Sequence, residues 1–531
     1  MQGVLGAARL RCIPALAAAL LAPVLMMALL YQYADPRWMT NDDIAMSMVA
    51  HGYGLADHGS PNLFFSNILW GYLVRAIPTV HGVLGYSIAS LASLLIASGT
   101  LLYALWRLGT SFWIGLLVCA LVLVRPALFP QFTINAGLLS LAAIACWCLY
   151  ARDRSWRVLA AGCALFLAGF LERNHEALIV LIVGLPLLPW RTLAGLRPCR
   201  LALVLLATIL VSATWFDRLS YEGAEWDSFN ALNLPRAAFT DFGALDSLEQ
   251  RPDILARYGY THNDLDLLKH WFFVDADIAD PDKLNAMLRD LGPLPAQNGS
   301  LVKALLGVQM LWYSDFVPLL ALAALLAIAY WSRRAAISWA LCVLAVFCLG
   351  LAGRPGTLHV YYPLIATLLM APLLASRPAQ RAGPLLTAAI GAACALNLGV
   401  VLSQASAMAA GARELRTALA GFPQETVAIW GANYPFEAMY GVLSIQPSAQ
   451  GQRFYGLGVF TLAPFAVSRA EQLTGRGFPE RLQSPEGIPI LANDAYIARL
   501  AAYCAERRHG QLRALAVQHF GPLTLSRQQC R

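Results

Sequence analysis

Residues 82–105 read GVLGYSIASLASLLIASGTLLYAL, a run of 24 residues without a charged side chain. About 20 apolar residues in a helix span the hydrocarbon core of a bilayer, so this run predicts a transmembrane helix. Together with ten further apolar runs it predicts an α-helical polytopic membrane protein with about eleven transmembrane helices. The ten runs are 13–31, 112–130, 134–150, 157–172, 175–190, 199–216, 308–331, 336–352, 358–375 and 384–404.

The composition supports this interpretation. Hydrophobic residues make up 58% of the 531 residues and charged residues 13%, against about 45–50% and about 25% in soluble globular proteins. The 38 Lys and Arg residues are scattered along the chain and form no basic stripe. The composition therefore excludes a soluble or disordered protein, and it predicts no nucleic-acid partner.

Basic residues in the connecting turns predict the orientation, because cytoplasmic loops are enriched in Lys and Arg. If the amino terminus is cytoplasmic, every turn on that side is basic. If 157–190 were one helix, the basic turns before and after it would face opposite compartments, so we keep 157–172 and 175–190 as separate spans. The same alternation places the segments 32–81, 217–307 and 405–531 on the outer side of the membrane. The first run lacks a small-residue cleavage site, so we interpret it as an anchor and not as a signal peptide. The basic turns contain Arg107, Arg152, Arg154, Arg157, Arg191, Arg197, Arg200, Arg333, Arg334, Arg377 and Arg381.

Two domains are expected. Residues 1–404 form the transmembrane module, with outer loops 32–81 and 217–307. The tail 405–531 is predicted to be a small extracytoplasmic mixed α/β domain, because its helical and alternating stretches are short and interspersed with turns. Its expected elements are a helix at 412–420, a strand at 426–430, a helix at 494–507 and a second alternating stretch at 512–520.

Cys504 and Cys530 are the two cysteines of the tail. Because disulfides persist in extracytoplasmic compartments, we expect a bridge between them that closes a loop of about 26 residues. Two unpaired thiols are the alternative, since their separation in space does not follow from the sequence.

Two adjacent carboxylates open the first outer loop, in Asn41-Asp42-Asp43. Side by side the two acids repel, which raises the pKa of one of them unless a cation or hydrogen-bond donors lie nearby. Such a pair suits a general base or a metal site. The alternative is a helix cap, with Asn41 or Asp42 capping a helix over 43–50.

The segment that follows is amphipathic and rich in aromatic residues, and it is too polar to cross the membrane. We expect residues 51–72 to lie along the interface. At this point the sequence resembles the GT-C class of polytopic membrane glycosyltransferases, which use polyprenyl-phosphate sugars. In that class an acidic motif follows the first membrane helix, and Asn41-Asp42-Asp43 stands in that place.

Two further motifs fit the resemblance. Glu172-Arg173-Asn174-His175-Glu176 forms an outer turn, where charged residues at the ends of membrane helices mark functional sites. A local ion pair that eases a tight turn is the alternative. Arg354 begins a second motif, Arg-Pro-Gly-Thr-Leu-His-Val-Tyr-Tyr-Pro, which contains His359, Tyr361 and Tyr362 and leads into a late span. Arginine suits phosphate binding.

The outer loop 217–307 carries its own polar and aromatic residues, among them Trp226, Arg236, His262 and Asp264. Aromatic faces and polar edges together are what a sugar-binding surface uses. A solvated loop with buried tryptophans is the alternative.

The resemblance implies a direct displacement that inverts the anomeric carbon. It implies Asp42 or Asp43 as the base, Arg354 with Arg173 as the clamp on the lipid phosphate, and His175 and His359 as positioning residues. Paired carboxylates can also hold Mg²⁺ or Mn²⁺ at Asp42 and Asp43. The full set of substrate-binding candidates is Asn41, Arg173, His175, Glu176, Arg354, His359, Tyr361, Tyr362, Trp226, His262 and Asp264.

The expected partners are a polyprenyl-phosphate sugar, a lipid or glycan acceptor and the lipid bilayer. The resemblance implies the bacterial inner membrane as the location. A secondary transporter or flippase is the main alternative, although transporters usually show repeats and helices broken at the membrane midplane. A non-catalytic scaffold leaves the two acids unexplained, and a polysaccharide ligase or polymerase would use similar chemistry on a longer donor.

Overall fold

The computed structural model describes residues 2–294, 300–313, 315–356, 358–375, 383–431 and 433–531. The predicted basic turn with Arg377 and Arg381 lies outside the described residues. The chain divides into two compact units. One unit comprises residues 1–43, 63–217 and 300–410, and the other comprises 44–62, 218–299 and 411–531.

The described chain is mainly helical. Its helices are α1 (Gln2–Tyr31), α2 (Asn41–His51), α3 (Ile68–Ala76), α4 (Gly85–Leu108), α5 (Phe112–Leu128), α6 (Phe132–Asp153), α7 (Trp156–Glu172), α8 (Asn174–Gly184), α9 (Trp190–Gly195), α10 (Arg197–Leu219), α11 (Ala224–Thr240), α12 (Ala244–Leu248), α13 (Pro252–Tyr258), α14 (His262–Lys269), α15 (Pro281–Leu291), α16 (Leu301–Gln309), α17 (Val317–Ala329), α18 (Arg333–Leu351), α19 (Leu358–Ala375), α20 (Pro384–Ala418), α21 (Phe436–Met439), α22 (Arg469–Leu473), α23 (Phe478–Gln483) and α24 (Asp494–Arg508). The strands are β1 (Val427–Trp430), β2 (Phe454–Leu457), β3 (Ile488–Leu491), β4 (Leu512–Phe520) and β5 (Leu523–Cys530).

The predicted polytopic membrane protein is confirmed. Each of the eleven apolar runs contains helix, although 175–190 is α-helical only to Gly184 and 308–331 joins the end of α16 to α17 across a bend. Seven helices of the described chain are long and apolar enough to cross a membrane, or eight if α16 and α17 form one bent span. Helices α5, α7 and α8, with 17, 17 and 11 residues, are shorter than a full span. The count of eleven and the orientation of the termini stay predictions.

Helix α6 forms the centre of the first unit. It contains no charged residue before its last turn, and residues 132–150 are all buried. It packs against α4, α7, α8 and α19. Small residues permit the close approach: a Cβ on Gly137 would lie 2.3 Å from the Pro363 side chain, and one on Gly169 would lie 2.7 Å from the Ala136 carbonyl oxygen.

The second unit contains a five-stranded sheet in the order β2-β1-β3-β5-β4. Strand β1 pairs in parallel with β2 and β3, and β5 pairs antiparallel with β3 and β4. The predicted strand at 426–430, the helix at 494–507 and the alternating stretch at 512–520 are confirmed as β1, α24 and β4. Cys504 and Cys530 are bridged, with their Cα atoms 5.7 Å apart, which confirms the predicted disulfide.

Helices α11 to α15 of the loop 218–299 belong to this second unit with the tail. Helix α11 packs against α14 and α15, and α14 packs against α24. The limits of the two compact units therefore differ from the predicted domain boundary at 404/405. That boundary stays a prediction.

Candidate active site

Asp43 lies in the first turn of α2 with its side chain fully buried. Three donors converge on its carboxylate. The Thr40 hydroxyl donates to Oδ2 at 2.9 Å, and Oδ1 accepts from the Tyr86 hydroxyl at 3.0 Å and from the Phe132 backbone N–H at 3.0 Å. Asp43 therefore connects the start of α2 to α4 and α6.

Burial raises the pKa of Asp43 to about 7, against the three hydrogen bonds that lower it. Asp42, the preceding residue, is exposed, although surrounding protein atoms still desolvate it in part. This desolvation raises the pKa of Asp42, and the charge of Arg173 opposes the rise. The two carboxyls therefore differ: one is buried and exchanges its proton near neutral pH, and the other is accessible beside a cation.

Arg173 occupies the break between α7 and α8 in extended backbone, with φ of −159°. Its Nη1 donates to the Phe65 carbonyl oxygen at 2.9 Å, and its guanidinium carbon lies 5.8 Å and 5.5 Å from the ring centres of Phe65 and Phe132. These contacts hold the guanidinium in place. Burial lowers the pKa of Arg173, whereas the charges of Glu176 and Asp42 raise it.

Positive charge accumulates around Arg173. Arg354 is exposed and repels Arg173 electrostatically, which shows that the two guanidinium groups share one region. His175 interacts with both arginines, and His359 interacts with Arg173. The first unit thus brings Asp42, Arg173 and Arg354 into one electrostatic neighbourhood, as expected for a site that activates a hydroxyl and holds an anion.

A buried polar network lies behind these residues. The Asn135 amide nitrogen donates to Glu172 Oε1 at 3.0 Å and to Ser90 Oγ at 2.9 Å. Glu172 is 1% exposed and interacts electrostatically with Asp43. Asn135 and Tyr86 were not among the residues predicted from the sequence. Both are polar side chains inside apolar runs, and that feature could have identified them, because polar residues in membrane helices mark functional positions.

The two tyrosines of the late motif are buried in the helix bundle. Tyr362 donates its hydroxyl to the carbonyl oxygens of Leu121 and Val122 at 3.1 Å and 3.2 Å, so it fastens α19 to α5. The Tyr361 hydroxyl donates to the Gly307 carbonyl oxygen at 2.7 Å. Tyr361 also lines a cavity of about 240 Å³, which places it at an apolar recess of the first unit.

Asn41 begins α2 in the first unit, and three further candidates, Trp226, His262 and Asp264, belong to the second unit. Asp264 caps α14 by bonding the Thr261 N–H at 2.7 Å, and it forms an ion pair with Arg507. His262 is exposed at the start of α14. Trp226 makes edge contacts with neighbouring aromatic rings. Asp264 therefore has a structural role in the described chain.

The metal prediction rests on Asp42 and Asp43 alone. Within the described residues, no group of three or more His, Cys, Asp or Glu side chains is arranged to hold a metal ion. Both oxygens of Asp43 already accept hydrogen bonds. A metal requirement stays a prediction.

No family model and no curated protein match the sequence. Two crystal structures of ArnT from Cupriavidus metallidurans are similar to the chain along its full length. The apo structure is 13% identical, covers 98% of both chains and has a TM-score of 0.37. The structure bound to undecaprenyl phosphate is 11% identical, covers 97% of both chains and has a TM-score of 0.36.

Proposed function

We propose that this protein is an integral membrane glycosyltransferase that moves a sugar from a polyprenyl-phosphate donor to a glycan or lipid acceptor. The transfer takes place on the outer face of the bacterial inner membrane and inverts the anomeric carbon. The observation that carries the proposal is the accessible carboxylate of Asp42 in the field of Arg173, with Arg354 in the same region.

Asp42 is the base in this proposal, because it is exposed while Asp43 is buried and bonded to three donors. Asp42 takes the proton of the acceptor hydroxyl as the oxygen forms its bond to the anomeric carbon. The bond from that carbon to the phosphate oxygen breaks, and the lipid phosphate leaves with the electron pair. Arg173 and Arg354 stabilise its negative charge, as charged donors do at developing anions.

Asp43 acts as a positioning residue. Its bonds to Tyr86 and Phe132 fix the first turn of α2, and therefore the direction in which Asp42 points. His175 and His359 add hydrogen-bonding groups near Arg173. Mg²⁺ or Mn²⁺ bound by Asp42 would add Lewis-acid stabilisation of the phosphate.

The test is transfer in liposomes that contain the purified protein, a radiolabelled polyprenyl-phosphate sugar and envelope lipid or glycan acceptors. Asp42→Asn is expected to lower turnover by about 10²–10⁴, as loss of a general base does, with little change in donor affinity. Asp35→Asn is the matched control, since Asp35 is exposed seven residues earlier. Movement of the lipid-linked sugar across the bilayer without a new glycosidic bond would instead establish a flippase.

A further inference from the structure

Four turns of the first unit concentrate positive charge. The turns are 107–113, 151–157, 190–200 and 331–334, and they contain nine arginines against a single acid, Asp153. We refer to these four turns as the basic face. The orientation predicted from the sequence assigns the basic face to the cytoplasmic side of the membrane.

Contacts between helix ends bring the four turns together. The ion pair of Arg107 with Asp153, at 2.7 Å, joins the end of α4 to the end of α6. The Cys148 thiol donates to the Leu187 carbonyl oxygen at 3.3 Å, so the chain before α9 also lies against the end of α6. Arg334, in the first turn of α18, interacts electrostatically with the same thiol. The basic face is therefore one surface at one end of the helix bundle.

Eight of the nine arginines are exposed, and Arg107 is the exception. Within the described residues, none of these eight forms an ion pair. They do not stabilise their helices either. Helices α7, α10 and α18 have arginine and no acid in the first turn, where positive charge opposes the helix dipole. The charge of the basic face is consequently open to anions from outside the chain.

Exposed tryptophans indicate the depth of the basic face in the bilayer. Trp113, Trp156, Trp190 and Trp331 lie at helix ends and are 50–75% exposed. Tryptophan at the ends of membrane helices lies at the level of the lipid headgroups. Three of the four are within two residues of an arginine, and the guanidinium carbon of Arg157 lies 5.9 Å from the ring centre of Trp156. The arginines therefore lie at the depth of the lipid phosphates.

We propose that the basic face binds anionic phospholipids, with its arginines paired to the headgroup phosphates. A guanidinium binds phosphate oxygens through two parallel hydrogen bonds. Basic clusters beside membrane helices attract lipids that carry a net negative charge. A zwitterionic lipid offers the same phosphate but also an ammonium group, which the arginines repel. The basic face should therefore distinguish lipids by the charge of their headgroups.

Two alternatives predict a different behaviour. If the arginines only orient the chain during insertion, as basic residues of cytoplasmic loops do, the folded protein has no preference for headgroup charge. An acidic partner protein would need a face that stands clear of the headgroups, whereas the exposed tryptophans indicate a position among them. Lipid selectivity of the folded protein therefore tests the proposal.

The test is native mass spectrometry of the full-length protein in detergent, with phosphatidylglycerol and phosphatidylcholine of identical acyl chains. We expect phosphatidylglycerol to bind at least about tenfold more tightly, and this preference to decrease at higher salt. Equal affinities for the two lipids would overturn the proposal. Because no sugar donor is present, failure of the proposed transfer reaction would leave this result unchanged.

Two double variants test the place of binding. One combines Arg154→Gln with Arg157→Gln, and the other combines Arg197→Gln with Arg200→Gln. Each removes two exposed charges of the basic face and leaves the other seven arginines in place. Each should reduce the preference for phosphatidylglycerol by at least about threefold, because every basic residue near the headgroups adds to the attraction.

The matched control combines Arg289→Gln with Arg513→Gln, which removes two exposed arginines from the second unit. It lowers the net charge by the same amount and should leave the preference unchanged. Thermal unfolding verifies that each variant is folded. The proposal is overturned if both folded variants of the basic face retain the wild-type preference, or if the control loses as much of it as they do.

Discussion

The pKa of Asp43, about 7 in the folded protein, predicts how stability depends on pH. An unfolded chain would expose this carboxyl, with a pKa near 3.9. The folded state therefore binds the proton more tightly, and the ionised group destabilises it. Stability should fall as the pH rises from about 4 to about 7, by up to about 4 kcal/mol in total, since each pKa unit corresponds to 1.36 kcal/mol.

Asp43→Asn isolates this effect. Asparagine is close in shape and neutral, and its Oδ1 can still accept from Tyr86 and Phe132, the two donors that reach Oδ1 of Asp43. The Thr40 hydroxyl, which donates to Oδ2 in the wild type, can rotate and accept from the asparagine amide instead. We therefore expect the variant to match the wild type in stability near pH 4 and to exceed it near pH 8.

The measurement is thermal unfolding of the purified protein in detergent, followed by intrinsic tryptophan fluorescence at both pH values. The quantity of interest is the difference in Tm between variant and wild type, because other groups titrate equally in both proteins. Asp35→Asn, at an exposed position, is the matched control for the removal of one carboxylate. If the difference for Asp43→Asn is the same at both pH values, the carboxyl is not held protonated and the reasoning is refuted.

Three further predictions concern the clamp, the tail and the topology. Arg173→Gln should lower kcat and kcat/KM for the lipid donor by similar factors, because Arg173 is proposed to stabilise the charge that develops on the leaving phosphate, and a raised KM with unchanged kcat would instead assign it a ground-state contact. Replacing Cys504 and Cys530 by Ser should lower stability by about 3 kcal/mol in the chain-entropy model for the 26-residue separation, and labelling of both thiols without reductant in the wild type would contradict the bridge. Reporter fusions after residue 107 should report the cytoplasm and fusions at 450 the outside, and a cytoplasmic signal at 450 would contradict the orientation.

Apolar periodicity and length predicted where the helices lie, because membrane helices must satisfy their backbone internally and so need long uncharged runs. They could not predict that the loop 218–299 and the tail form one compact unit, since packing between distant segments leaves no local pattern. Strands β2, β3 and β5 were also missed. Each of β2 and β3 has four residues, too few to establish an alternation.

Of the candidate site, the charged motifs at the helix ends could be predicted from the sequence. What could not be predicted is the partner of each charge. Arg173 was expected to bind substrate phosphate, and its fixed contacts to Phe65 and Phe132 follow from chain segments far apart in sequence. Asn135 and Glu172 meet through the packing of α6 on α7, which the sequence does not specify.

The different environments of Asp42 and Asp43 follow from helical geometry once the start of α2 is known. Adjacent residues in an α-helix point about 100° apart, because the helix has 3.6 residues per turn. With one direction set by the contacts of Asp43 to α4 and α6, the preceding side chain points away from that packing, as the exposure of Asp42 shows. A pair of acids in a loop would have no such constraint. The helix therefore separates a positioning carboxyl from an accessible one, and the base can be assigned to Asp42 although the two residues are chemically identical in sequence.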